Sequence, residues 1–336
     1  MTAGPRKILI IKPSSLGDIV HSLAVLDSLK RCFPDSEIHW LVAKGFEGIL
    51  EEHPMLRKLW VVRKDDWKKI TKLRSTISEL RQLFRDLRAE KFDCVIDLQG
   101  LFRSGLISKA TGAPVRIGFA EAREGSTVFY TDRVAGGREI HAVDRYLKIP
   151  AFLGCEVTSP RFPFPPFRVA ERDVFCEGEY AVMVPGARKP VNRWPARRFG
   201  ELASRLPLKT IVVGSRGDRD LAEEAVRASK GKAVSLAGKT GLKELVGIIR
   251  GAKFMVSNDT GPMHVAAALG VPVFALFGAA NPVRTGPYGG GHTVIRKELP
   301  CAPCYKRSCK KPICMDMIKI DEVAEIIGNF LWRKQG

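Results

Sequence analysis

The sequence predicts an α/β protein of two doubly wound parallel sheets, and three observations carry that expectation. Short apolar runs of strand character alternate with longer helical segments. A proline-rich stretch near the middle interrupts the alternation, which then restarts. Glycine-containing loops follow several of the apolar runs, as they do where strands of such sheets hand over to helices.

Residues 7–12 form a continuous apolar run framed by lysines, fitting a strand buried on both faces. The loop Pro13-Ser14-Ser15-Leu16-Gly17-Asp18 leads from it into a helical pattern over Ile19 to Leu26. Next come a strand over 38–42, a short helix over 46–52, a strand over 58–62, a long basic helix from about 66 to 88 and a strand over 92–98. Residues 159–167 are too rich in proline for helix or central strand and read as a linker, dividing the chain into domains 1–162 and 168–336. Strands over 180–184 and 209–213 and helices over 196–205 and 218–229 restart the pattern. A strand over 252–256, a tight loop, a short helix opened by Pro262 and closed by Gly270, and a strand over 273–278 follow.

With 336 residues and 45% hydrophobic content, the chain can bury two cores of ordinary size. No run of 18 apolar residues appears and the N-terminus leads straight into a strand, so a soluble cytoplasmic chain without signal peptide is expected. The net charge of +19 calls for an acidic partner: nucleic acid, an anionic membrane face or a polyphosphorylated substrate. Eight cysteines in such a chain argue for free thiols or a metal site rather than a disulfide framework.

Five stretches can carry chemistry. In Ser257 to Pro272 the helix opening at Pro262 presents free N–H groups and the positive end of its dipole. Thr260 adds a hydroxyl and Gly261 allows close approach, so the segment suits a diphosphate or is an ordinary capped loop. Asp18 stands at the end of the first strand, as a general base or as the cap of the following helix. In Val184 to Pro195 a strand, a glycine loop and the cations Arg188, Lys189 and Arg193 repeat the logic, either to neutralise a leaving diphosphate or as a solvated basic loop. Asp218 either accepts from ribose hydroxyls or caps its own helix. Finally, Cys301, Cys304, Cys309 and Cys314 stand amid lysines and arginines. They match zinc or iron–sulfur spacing only in part, and as a knuckle would mark a nucleic-acid-binding protein.

Five segments in this order look like the ADP-heptose lipopolysaccharide heptosyltransferases of glycosyltransferase family 9. They are Lys12 to His21, Asp97 to Ser104, Glu121 to Glu124, Arg193-Trp194-Pro195 and Asn258 to His264. The first three resemble the heptosyltransferase I branch more than II. The resemblance implies a GT-B fold, two Rossmann-like domains facing a cleft, the N-terminal one binding the acceptor and the C-terminal one the nucleotide sugar. It implies inverting, metal-independent transfer of L-glycero-D-manno-heptose from ADP-heptose to the first Kdo of Kdo-lipid A, with no cofactor and no nucleic acid. The alternative within the family is transfer to the first heptose.

By the same resemblance Asp18 is the base that activates the acceptor hydroxyl. Asp259, Thr260, Gly261 and His264 line the donor phosphates and sugar, and Asp218 falls at an acidic ribose contact. The family has a lysine where this chain has Asn192, so Lys189 or Arg188 would take over that phosphate contact. Ser14, Ser15, Gln99, Arg103, Arg123 and His141 are the candidate acceptor contacts. The basic helix, with Lys68, Lys69, Lys72, Arg74, Arg81, Arg85 and Arg88, would meet the anionic cytoplasmic face of the inner membrane as a peripheral protein, unless it is only a solvated face.

Overall fold

The computed structural model describes residues 4–63, 73–166 and 178–333. The chain divides into two compact units, Met1–Pro166 and Phe167–Gly336.

The first unit runs β1 (Lys7–Ile11), α1 (Leu16–Cys32), β2 (Glu37–Ala43), β3 (Lys58–Val62), α2 (Leu73–Ala89), β4 (Cys94–Asp97), α3 (Phe102–Ala110), β5 (Val115–Phe119), β6 (Asp132–Val134) and α4 (Ala142–Phe152). Its six strands lie parallel in the order β3-β2-β1-β4-β5-β6. Ile8 to Ile11 are fully buried, which a central parallel strand covered on both faces requires of its residues. The second unit runs β7 (Tyr180–Val184), α5 (Ala196–Arg205), β8 (Lys209–Val212), α6 (Arg219–Ala228), β9 (Ala233–Ser235), α7 (Leu242–Arg250), β10 (Phe254–Asn258), α8 (Gly261–Ala268), β11 (Val273–Phe277), α9 (Pro282–Thr285), β12 (Thr293–Arg296), α10 (Ile313–Asp316) and α11 (Ile320–Arg333). Its strands are parallel too, in the order β12-β11-β10-β7-β8-β9. Phe254, Phe274 and Phe330 meet edge to face under this sheet, and Trp194 packs edge to face on Phe199. The α/β class and the two doubly wound sheets are as the sequence predicts.

Three expectations change. The short helix over 46–52 is only a single 3-10 turn, Glu47–Ile49, because Glu52 takes φ +60° and Pro54 follows. The basic helix begins, among the described residues, at Leu73; Lys68, Lys69, Lys72 and the side chain of Arg74 lie outside them. Leu87 is buried and Leu83 and Phe84 pack beside it, while Arg81, Arg85 and Arg88 are exposed. And not all cysteines are thiols: Cys32, closing α1, is disulfide-bonded to Cys155, just beyond α4, with Cα atoms 5.3 Å apart. The partners are 123 residues apart in sequence, and only the docking of α1 beside α4 brings them together. At the same junction Ser28 Oγ donates to the Glu156 carbonyl (2.9 Å).

No helix among the described residues is long and apolar enough to cross a membrane.

The first unit should lose stability on mild acidification. His39 on β2 is buried, its Nδ1 accepts from Trp60 Nε1 (3.2 Å), and the Phe92 ring meets it edge-on. Burial pushes its pKa down to about 4, with Glu90 and Glu37 pulling it up and Lys7 and Lys58 pulling it down. A base whose pKa is depressed on folding leaves the unfolded chain holding the extra proton. The stability it contributes is therefore complete above about pH 6.5 and declines toward pH 4, by at most about 3 kcal/mol. The thermal midpoint should fall between pH 7 and pH 5, and His39→Asn should flatten that fall; an equally steep decline in the variant would assign it to other groups.

Candidate functional site

Each sheet reverses its winding once, between β1 and β4 in the first unit and between β7 and β10 in the second. In open parallel sheets ligands bind at the carboxyl ends of the strands beside such a reversal. Most of the residues singled out in the sequence lie on loops at these two places.

In the first unit β1 ends at Ile11, and the next residue, Lys12, is buried. Its ammonium donates to the Leu98 carbonyl just beyond β4 (3.0 Å) and to the Tyr146 hydroxyl on α4 (2.9 Å). The Tyr146 hydroxyl donates in turn to Asp18 Oδ1 (2.9 Å), and Lys12 Nζ lies 3.8 Å from that oxygen. Asp18 Oδ2 accepts from the Ser15 N–H (3.0 Å) and from Ser15 Oγ (2.7 Å). Asp18 therefore does cap α1, but only one oxygen is spent on the cap. Its side chain keeps 40% of its surface accessible, so the carboxylate is gripped and yet open to a ligand.

Burial alone would raise the Asp18 pKa. The Lys12 ammonium, the two Ser15 hydrogen bonds and His21 outweigh it and hold the carboxyl well below the ordinary range. Burial lowers the pKa of Lys12 against the pull of Asp18 and Asp97, and burial together with the Asp18 charge raises that of Tyr146 far above its usual value.

The other residues of this end arrange themselves around Asp97, the last residue of β4. Its Oδ1 accepts from the N–H groups of Gln99 and Gly100, and its Oδ2 accepts from Tyr130 Oη (2.7 Å). Gly100 takes φ +63° and a Cβ there would lie 3.2 Å from that of Ala122, so the β4 and β5 loops touch. The Arg123 N–H donates to the Gly100 carbonyl (2.9 Å); the Arg123 side chain is exposed, as is that of Arg103 in the first turn of α3. His141 caps α4, its Nδ1 accepting from Val143 N–H, and its ring meets that of His21 at 5.2 Å. Ser14 is half-buried in the loop ahead of α1.

In the second unit Asn258 ends β10 and is fully buried. Its Nδ2 donates to the Pro185 carbonyl (2.8 Å) and its Oδ1 accepts from the Trp194 N–H (3.0 Å). Asn192 Nδ2 donates to Asp259 Oδ2 (3.3 Å). The 185–194 loop after β7 and the 259–261 loop after β10 are thereby tied side by side. Thr260 is the N-cap of α8, Gly261 and Pro262 open it, and His264 is buried one turn on. Arg188 is exposed and Lys189 half-buried on the β7 loop.

Asp218 repeats the Asp18 pattern in part: Ser15-Leu-Gly-Asp18 and Ser215-Arg-Gly-Asp218 share their spacing. Ser215 N–H and Oγ both donate to Asp218 Oδ2 (2.9 and 2.6 Å), so the capping reading holds for it. Its carboxyl group also presses on the β7 loop, where a Cβ at Gly186 would come within 2.5 Å of it.

Among the described residues no three metal-binding side chains converge, the four late cysteines included. Cys301 and Cys309 are exposed, Cys304 is half-buried, and Cys314 is buried in α10, where burial raises its pKa. Their spacing matches metal-ligand patterns only in part, and among the described residues the thiols are not gathered into a ligand set.

Three residues that position these sites were given no role of their own from the sequence. Lys12 had a signal, a charge closing an apolar run, and Asn258 a weaker one. Tyr146 had none, because it lies 128 residues from the carboxylate it holds.

A family model for glycosyltransferase family 9 (heptosyltransferase) matches residues 80–314. The chain belongs to glycosyltransferase family 9. It is therefore a glycosyltransferase, which sets aside the nucleic-acid-binding reading. It is 31% identical to lipopolysaccharide heptosyltransferase 1 of Pseudomonas aeruginosa over 90% of this chain and 87% of that one. To lipopolysaccharide heptosyltransferase 2 of Escherichia coli it is 29% identical, over 86% and 88%. The solved ADP-heptose lipopolysaccharide heptosyltransferase II of E. coli superposes with a TM-score of 0.79 at 25% identity, covering 98% of this chain and all of that one.

Proposed function

We propose that this family 9 enzyme transfers L-glycero-D-manno-heptose from ADP-heptose to the first Kdo of Kdo-lipid A, inverting the anomeric carbon without a metal ion. The observation that carries the reading is the open, ionised Asp18 carboxylate at the winding reversal of the first sheet. A general base must be unprotonated, oriented and accessible, and Asp18 meets all three conditions. In the proposed step Asp18 takes the proton of the acceptor hydroxyl, whose oxygen bonds to the anomeric carbon as the bond to the ADP oxygen breaks.

The departing diphosphate is stabilised by the first turn of α8 and by Lys189 and Arg188 in place of the family's lysine. Asn192, which stands at that position, is instead engaged with Asp259. Thr260, Gly261, His264 and Asp218 complete the donor side. On the acceptor side the exposed Arg103 and Arg123 meet the Kdo carboxylates, and Ser14, Ser15, Gln99 and His141 are the further acceptor contacts. Arg81, Arg85 and Arg88 present cations toward the inner-membrane surface.

The test is incubation with ADP-heptose and Kdo-lipid A, with mass analysis of the lipid. One added heptose, undiminished by EDTA, is expected, with Lys189→Ala raising KM for ADP-heptose. Addition only to a lipid that already carries a heptose would move the enzyme to the second transfer. No addition to either lipid would overturn the reading.

A further inference from the structure

We propose that Tyr146 is a positioning residue for the transfer, its hydroxyl acting as a spacer that orients the Asp18 carboxylate and keeps the Lys12 ammonium from closing onto it. The inference rests on the reading of Asp18 as the base and adds to it a residue from a distant element.

The geometry is that of a relay. Lys12 Nζ donates to the Tyr146 oxygen at 2.9 Å, and that hydroxyl spends its only proton on Asp18 Oδ1, also at 2.9 Å. The ammonium itself stays 3.8 Å from Oδ1, close enough to favour the ionised carboxylate but beyond direct hydrogen-bonding distance. A direct contact would be a short charge-assisted hydrogen bond occupying the electron pair that a base must offer. With Oδ2 held by Ser15 and Oδ1 by Tyr146, rotation of the carboxylate is blocked while 40% of the side-chain surface stays accessible.

Tyr146 is itself fixed. It is 5% exposed, and its ring lies near those of Phe119 and, through Lys12, under the ammonium. Its neighbour Arg145 is drawn aside by Glu121 and stacks on Phe119. The charged and titratable groups facing Asp18 are Lys12 from just past β1, His21 from α1 and Tyr146 from α4. Arg145, Arg123 and Asp97 act on Lys12 from farther out. A purely structural tyrosine would not need its one proton on a carboxylate with open surface, and a hydroxyl aimed elsewhere would leave the cation and anion to meet.

Tyr146→Phe tests this, since it deletes one oxygen and keeps the ring. The expected result is a fall in kcat of about 10–100-fold with KM for ADP-heptose and for Kdo-lipid A within about twofold, and a nearly unchanged thermal midpoint. Lys12→Met should move the acid limb of the kcat profile upward, because it removes the strongest influence that keeps Asp18 ionised. The double variant should be no slower than the slower single one, because the two groups act as a unit. Wild-type kcat in Tyr146→Phe, a loss lying wholly in KM, or additive losses in the double variant would overturn the spacer role. Asp18→Asn separates the two ideas. If that variant turns over normally the base assignment fails; if it is inactive while Tyr146→Phe is normal, only the present inference fails.

Discussion

Asp18→Asn is expected to lower kcat for heptose transfer by about 10²–10⁴-fold, the range that a positioned proton acceptor contributes. Affinity for ADP should stay within about twofold, because the residues assigned to the nucleotide belong to the other unit of the chain. Asparagine matches aspartate in shape but offers one acceptor oxygen instead of two. It can keep either the Ser15 bonds or the Tyr146 bond, and not both. The cap of α1 is therefore weakened by about 1 kcal/mol, which a folded two-unit protein survives. Initial rates and ADP titration on the same preparation decide the matter, and a variant that retains a tenth of the turnover would remove Asp18 from the base role.

The same site fixes the sign of a pH effect. Asp18 is a carboxyl whose pKa is depressed by folding, so the stability it lends is present above its ordinary value near 4 and lost as the pH falls below that. Its protonation therefore contributes nothing to any loss of kcat between pH 7 and pH 5. Over that interval the sensitive groups in the first unit include the buried His39 and His53, whose pKa values burial holds below the usual range and which act on stability.

The strands were legible where burial on both faces forces an unbroken apolar run, as in β1, β7 and β10, whose predicted and observed limits agree within two residues. Local motifs were legible as motifs, but their roles were not. Ser15 to Asp18 and Ser215 to Asp218 have the same spacing and the same serine–aspartate bonds. What distinguishes Asp18 is a lysine from the preceding strand and a tyrosine 128 residues away. The Asn192–Asp259 contact and the Cys32–Cys155 bond are of the same kind, joining residues 67 and 123 positions apart. Periodicity reports which face of an element is buried and says nothing of which loop ends meet. The strand order, which carries β1 next to β4 and β7 next to β10, brings the strand-end loops together, and the docking of α4 beside α1 brings in Tyr146 and Cys155.

That dependence on strand order makes Asn258→Ala the most damaging single change expected in the second unit. Asn258 is fully buried at the end of β10, and its side-chain amide satisfies two backbone groups of the neighbouring loop, the Pro185 carbonyl and the Trp194 N–H. Alanine leaves both without their partner in a dry environment, at about 1–3 kcal/mol each, so a loss of about 2–6 kcal/mol is expected. Trp194 is also fully buried and donates from its indole to the Ile318 carbonyl, so the loop cannot slide outward without opening the core. Because Asn192 reaches Asp259 from the same loop, the donor end should loosen with it, and ADP affinity should fall along with the thermal midpoint. Asn258→Asp supplies the control. It keeps an acceptor for Trp194 but turns a second oxygen toward the Pro185 carbonyl, so it should be destabilised as well, through repulsion and not through an empty site. If Asn258→Ala unfolded within about 1 kcal/mol of the parent protein and bound ADP as tightly, the tie between the β7 and β10 loops would carry no weight in holding the donor end together.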